Sequence, residues 1–192
     1  MRIHATTVAR IAMLSSLVVV LDYAMKFSGL KIPFPWLPFL KFDFTGVPIM
    51  LSVLTISLTA GAFTSIIAFL AILVRSGDIV GASMKAIAEF STVLGFYLGG
   101  RILKKESRLS ISISYILGCI TRILIMNIST IPVFTLYYGM PLKVALAISP
   151  MVAAFNLLHG LLSIFGGNLL YEALKRRAPL ILSERKNQNS KS

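Results

Sequence analysis

Between Phe44 and Val74 the chain runs for 31 residues without one charged side chain. A stretch of that kind cannot face water along its length, and it matches the apolar solvent of a bilayer core. As a single helix it would extend about 46 Å, against a hydrocarbon thickness of about 30 Å. It is therefore read as two short spans joined near Thr59-Ala60-Gly61. Further spans are expected at Val8–Leu21 (interrupted by Arg10), at Ala86–Gly100, from Leu109 to about Val133, and from Pro150 to about Ala173. The connections fall at Lys26–Lys41, Arg75–Lys85, the basic run Arg101 to Arg108, and Tyr137–Lys143. Only 14% of the 192 residues are charged, against about 25% in a soluble domain. The expected fold class is an all-α integral membrane protein, a compact bundle of six transmembrane helices. Residues 1–174 form the single domain, and 175–192 a basic cytoplasmic tail with too few apolar residues to order. Arg2 and Arg10 before an apolar core also suit a signal peptide, but no small-x-small pattern follows Leu21, so a retained first helix is expected.

A formal net charge of +12 suggests nucleic acid as a partner for a soluble protein. In a membrane protein it marks the loops that stay inside. Six spans put Arg2, Arg10, Arg101, Lys104, Lys105, Arg108 and the six tail cations on one side. Lys26, Lys31, Lys41, Arg75, Lys85 and Lys143 fall on the other. That bias predicts a multi-pass protein of the cell membrane with both termini cytoplasmic, surrounded by lipid and without nucleic acid. Five spans would leave a similar bias, so helix length selects six.

No enzymatic motif appears. There is no Gly-x-Ser-x-Gly, no His-Glu-x-x-His and no phosphate loop, and Gly81-Ala82-Ser83-Met84-Lys85 fails the first pattern at its last position. One cysteine and two histidines argue against a metal centre or redox chemistry. No catalytic residue, metal or cofactor is expected. Candidate binding groups remain. Pro33, Pro35 and Pro38 forbid a helix, so an irregular Pro/aromatic loop is expected between helices 1 and 2. Its Phe34, Trp36 and Phe39 form either an interfacial aromatic belt or a lid offering rings to a ligand.

Asp22, Glu89, Arg122 and His159 lie within or beside apolar spans, where ionisable groups face a cavity or a partner. Asp22 is close enough to a helix end to reach headgroups. Glu89 has Lys85 one turn before it, an i,i+4 pair. Arg122 pairs with Asp22 or Glu89, or contacts ligand. Asn156 and His159 share one helical face and can aim into a polar site, which Asn127 would join from helix 5; the alternative is interhelical hydrogen bonding. Ala5, Ala9, Ala12 and Ser16 form a small-residue stripe open to close approach by another helix, in this chain or a partner. Gly95-x-x-x-Gly99 offers the same for internal packing.

Leu40-Lys41-Phe42-Asp43, the stretch from Arg122 to Asn127 followed by Ile131-Pro132, and Phe155-Asn156-Leu157-Leu158-His159-Gly160 resemble one family. It is that of the substrate-binding S components of energy-coupling-factor (ECF) vitamin transporters, most closely the riboflavin-binding branch, over roughly residues 8–175. The resemblance implies a small membrane protein that captures a vitamin on the outer side. It would deliver that vitamin to a transmembrane coupling subunit driven by two ATP-binding subunits, with no cofactor of its own. Phe34, Trp36, Phe39 and Lys41 would then face the ligand from the loop after helix 1. Asn127, Asn156 and His159 would meet its polar edge, His159 standing where that branch usually has lysine. Ala9, Ala12 and Ser16 would meet the coupling subunit. An S component for another heteroaromatic metabolite, a structural or assembly protein and a passive channel are the other readings.

Overall fold

A computed structural model describes residues 5–102 and 108–177. Arg2, Lys104, Lys105 and the tail beyond 177 lie outside them. The elements in order are α1 (Ala5–Phe27), β1 (Ile32–Phe34), β2 (Leu37–Phe42), α2 (Gly46–Thr55), α3 (Leu58–Ser76), α4 (Ile79–Ile102) and α5 (Arg108–Pro132). A five-residue π-helical turn, Val133–Tyr137, prolongs α5, and α6 (Leu142–Arg177) closes the chain.

The charge-free run does break into two helices, but not where or how its residues suggested. Ser57 is extended, and its Oγ accepts a hydrogen bond from Ala60 N at 3.2 Å, which starts α3 ahead of the expected turn. That leaves α2 with ten residues, about 15 Å. The described residues form the six expected helices; α1, α3, α4, α5 with its π turn, and α6 are long and apolar enough to cross a membrane, and α2 is a shorter apolar helix. Every residue of α2 from Gly46 to Val53 is buried. A helix apolar on all sides belongs in the interior, and α2 is the central post on which α1, α3, α4 and α6 pack. Around it Val18, Ile49, Met50, Val93 and Ile164 form the main core.

Two connections are shorter than expected. Gly77, at φ 67°, ends α3 with its N–H on Leu73 O at 2.8 Å. Asp78 Oδ1 then accepts from Gly81 N, and α4 begins at Ile79. Pro150 lies inside α6 instead of opening it. The turns before it persist because Ala145 and Val152 pack into a second core with Phe34, Leu37, Phe134 and Phe155.

The Pro/aromatic segment is more ordered than an irregular loop, although its pairing shifts register between Pro33 and Phe34. It is a two-stranded antiparallel hairpin with Ile32 opposite Phe42, Pro33 opposite Lys41 and Phe34 opposite Leu37. A two-stranded ribbon tolerates proline because each strand keeps a free edge that needs no ladder donor. The hairpin is fastened to the bundle: Lys31 Nζ donates to Asp22 Oδ1 at 2.6 Å, and Arg75 Nε donates to Asp22 Oδ2 at 2.6 Å. These bonds gather the ends of α1 and α3 at the hairpin end, so α2 carries the chain back toward the opposite end. Gly95 and Gly99 serve internal packing: a Cβ at Gly99 would sit 2.6 Å from Ser114 Cα.

Candidate functional site

The hairpin end opens into a cavity of about 630 Å³ between β2, α3, α4, α5 and α6, within the roughly 300–1,000 Å³ of small-molecule sites. Its walls are largely apolar and aromatic, with Phe39 from the hairpin, Phe134 and Tyr138 from the π turn and its end, and Val152 and Phe155 from α6. Pro132 lacks the N–H that a continuing helix would use, and the wider turn that follows brings Val133 and Phe134 to the wall.

At the inner end of the cavity lies a charged network built by four elements. Asp43, just after β2, accepts from Thr45 N at 3.1 Å and Thr45 Oγ1 at 2.6 Å. Lys85 of α4 donates to Asp43 Oδ1 at 2.8 Å and to Glu89 Oε1 at 2.9 Å. Arg122 of α5, 1% exposed, has Nη1 at 3.2 Å from Glu89 Oε1 and donates to Thr92 Oγ1 at 2.9 Å. Its Nε donates to Asn156 Oδ1 at 3.1 Å, while Asn156 Nδ2 donates to Val152 O. From α6, Ser163 donates to Glu89 Oε2 at 3.1 Å, and His159 Nε2 lies 3.3 Å from Lys85 Nζ. An ammonium can only donate, so Nε2 accepts and Nδ1 carries the proton. Nδ1 has no hydrogen-bond partner among the described residues.

The N-terminus of α2 comes close to these acids. A Cβ on Gly46 would collide with the Glu89 carboxylate and Ser163 Oγ, so glycine there permits the approach, and the helix dipole favours negative charge at that point. Burial alone would raise the pKa of Asp43. The surrounding positive charge, Lys85 foremost with Lys31 behind it, together with the hydrogen bond from Lys85, outweighs burial and holds the carboxyl well below the usual carboxylate range.

Four of the expected binding residues, Phe39, Lys41, Asn156 and His159, line this cavity. Three do not. Phe34 is buried against Trp36, Phe42 and Phe155 and plugs the hairpin onto α6. Trp36, at the hairpin tip, is 65% exposed. Asn127 is turned aside to accept from Ser149 Oγ at 3.1 Å. Asp22 does not reach headgroups; it is fully buried under Lys31 and Arg75. The expected Lys85–Glu89 pair forms, and Arg122 takes Glu89 as partner, not Asp22. Sequence reasoning missed Lys31, Arg75 and Lys85 as cavity residues. Their signal was present: each is a cation next to an apolar span on the side opposite the basic termini. Among the described residues no group of His, Cys, Asp and Glu is placed to hold a metal ion. Ala9, Ala12 and Ser16 are exposed along α1.

A bundle of membrane-length helices around a capped, part-polar cavity defines the class as a helical membrane protein with a small-molecule site. Within that class, a solved structure of the S component of a bacterial ECF transporter is similar to this chain. The TM-score is 0.74 at 27% identity, covering 88% of this chain and 95% of that one. The chain shares the S-component fold, and with its five long apolar helices it is a multi-pass membrane protein. No family model matches the chain, and no curated protein does.

Proposed function

We propose that the chain is the vitamin-binding S component of an ECF-type importer, with riboflavin as the leading ligand. The observation that carries this reading is the capped cavity within an S-component fold: aromatic walls above a ring of placed polar groups. A planar heteroaromatic body would lie against the aromatic wall that Phe39, Phe134 and Phe155 form. Its polar edge meets Asn156, His159 and Lys85. Where the riboflavin branch usually carries lysine this chain has His159, yet an ammonium still reaches the same place, from Lys85, 3.3 Å from the imidazole. That ammonium supports a flavin-like ligand, while the histidine itself leaves a related heteroaromatic vitamin as the second reading.

The chain binds and does not hydrolyse; ATP turnover belongs to two partner ATPases acting through a coupling subunit. Ala9, Ala12 and Ser16, small and exposed on α1, are the face for that subunit. Both termini face the cytoplasm, and the hairpin end faces outward. Titration of the detergent-purified protein with riboflavin, followed by flavin fluorescence, tests the reading. One-to-one quenching is expected, weakened at least tenfold by His159→Ala with helical circular dichroism unchanged. A protein that quenches no flavin, and whose unfolding temperature no vitamin raises, would overturn it.

A further inference from the structure

The topology places six cations at the hairpin end, and five of them, Lys26, Lys31, Lys41, Arg75 and Lys85, line the one cavity; Lys143 does not. Arg122 adds a sixth from within the bundle. The carboxylates that answer them are Asp43 and Asp78 on the wall, with Asp22 and Glu89 behind it. Asp22 and Asp43 take Lys31, Arg75 and Lys85; Glu89 takes Lys85 and Arg122. Asp78 uses Oδ1 on the backbone of Gly81. Lys26, in the last turn of α1, and Lys41, opposite Pro33 in the hairpin, have no carboxylate within ion-pair distance among the described residues, and both are exposed at the mouth.

Six cations against four acids leave an uncompensated positive charge, and it is concentrated at the rim, not the floor. Unbalanced charge beside a low-dielectric wall raises the local potential and selects ligands of opposite sign. The outer side of a membrane protein is also where Lys and Arg are depleted in general, so their concentration around one opening asks for a cause.

Resting on the S-component reading, we infer that the site prefers an anionic form of its ligand, riboflavin 5′-phosphate ahead of riboflavin itself: a planar body seated against the aromatic walls, with a phosphate or carboxylate group at the mouth between Lys26 and Lys41. The acid-paired cations Lys85 and Arg122 hold the neutral polar edge, and the unpaired rim lysines hold the charge.

The test compares neutral and anionic forms of one ring in lipid-free detergent. The pairs are riboflavin with its 5′-phosphate, pyridoxal with its 5′-phosphate, and nicotinamide with nicotinate; the third separates carboxylate from phosphate. One anionic member is expected to bind at least tenfold tighter than its neutral counterpart, with the preference shrinking as salt is raised. The ratio should fall below about threefold in Lys26→Gln/Lys41→Gln and persist in Lys26→Arg/Lys41→Arg, which keeps the charge and controls for folding. Riboflavin binding as tightly as its phosphate would overturn the anion inference and leave the S-component reading standing, as expected of lysines that only touch bilayer headgroups. Tight binding of an anionic member from another pair, with both flavins silent, would uphold the anion inference and overturn riboflavin. Silence across all three pairs would overturn both.

Discussion

Gly46 is where one hydrogen atom decides the packing of three helices. Its Cα faces the Glu89 carboxylate and Ser163 Oγ so closely that a methyl group has no room. Neither neighbour can give way freely, because Glu89 is held by Lys85 and Arg122. Gly46→Ala should destabilise the protein by about 1–3 kcal/mol, the usual cost of overpacking, read as a lower unfolding temperature in detergent; an unchanged midpoint would mean that α2 can slide. Asp43 gives a pH prediction. Its folded pKa lies below the unfolded value of about 3.9. Its contribution is therefore complete above about pH 4 and disappears only as pH falls through the depressed value. Stability should be indifferent to this group between about pH 5 and 8. Asp43→Asn, which strips Lys85 of a buried partner, should lower it by about 3 kcal/mol throughout that range. A loss confined to acid pH would contradict the assignment. These pairings were only partly legible in the sequence. Glu89 and Lys85 are a local i,i+4 pair, and spacing reveals such pairs. Asp43 with Lys85 and Arg122 with Asn156 join different elements, which no spacing encodes.

Among the elements, the hairpin departs most from its sequence reading. Three prolines correctly excluded a helix, but the rules that forbid one structure do not name the alternative. Strand pairing here depends on Phe34, Phe42 and Phe155 packing together, a contact between segments more than a hundred residues apart. The same holds for α2, whose lack of charge was plain and whose brevity was set by Ser57, a cap hidden in a polar-poor run. As a cover for the cavity the hairpin is tied down by Lys31, which reaches Asp22 at 2.6 Å and Asp43 at 3.7 Å. Lys31→Ala should loosen this tie and raise the ligand dissociation rate about tenfold, with little change in association, as stopped-flow fluorescence would show. An equal fall in both rates would mean that the hairpin shapes the site without covering it.

For the molecule as a whole, the division between ligand cavity and outer α1 face predicts separable functions. The cavity opens at the hairpin end, while Ala9, Ala12 and Ser16 sit on the outer surface of α1 toward its N-terminal end. Ala12→Leu should abolish co-purification with a coupling module and leave ligand affinity within about twofold; loss of both together would contradict the separation. The bundle itself was the most legible feature, since apolar length reports the solvent in which a helix sits. The cavity was less so, because it exists only where the ends of five elements meet. Its ligand is the central claim, and native mass spectrometry of the protein taken from membranes in mild detergent tests it most directly. The account predicts a single small-molecule adduct per chain with heteroaromatic absorbance, lost in His159→Ala. Chains carrying only lipid or detergent, and still carrying only these after incubation with the vitamin pairs, would contradict it.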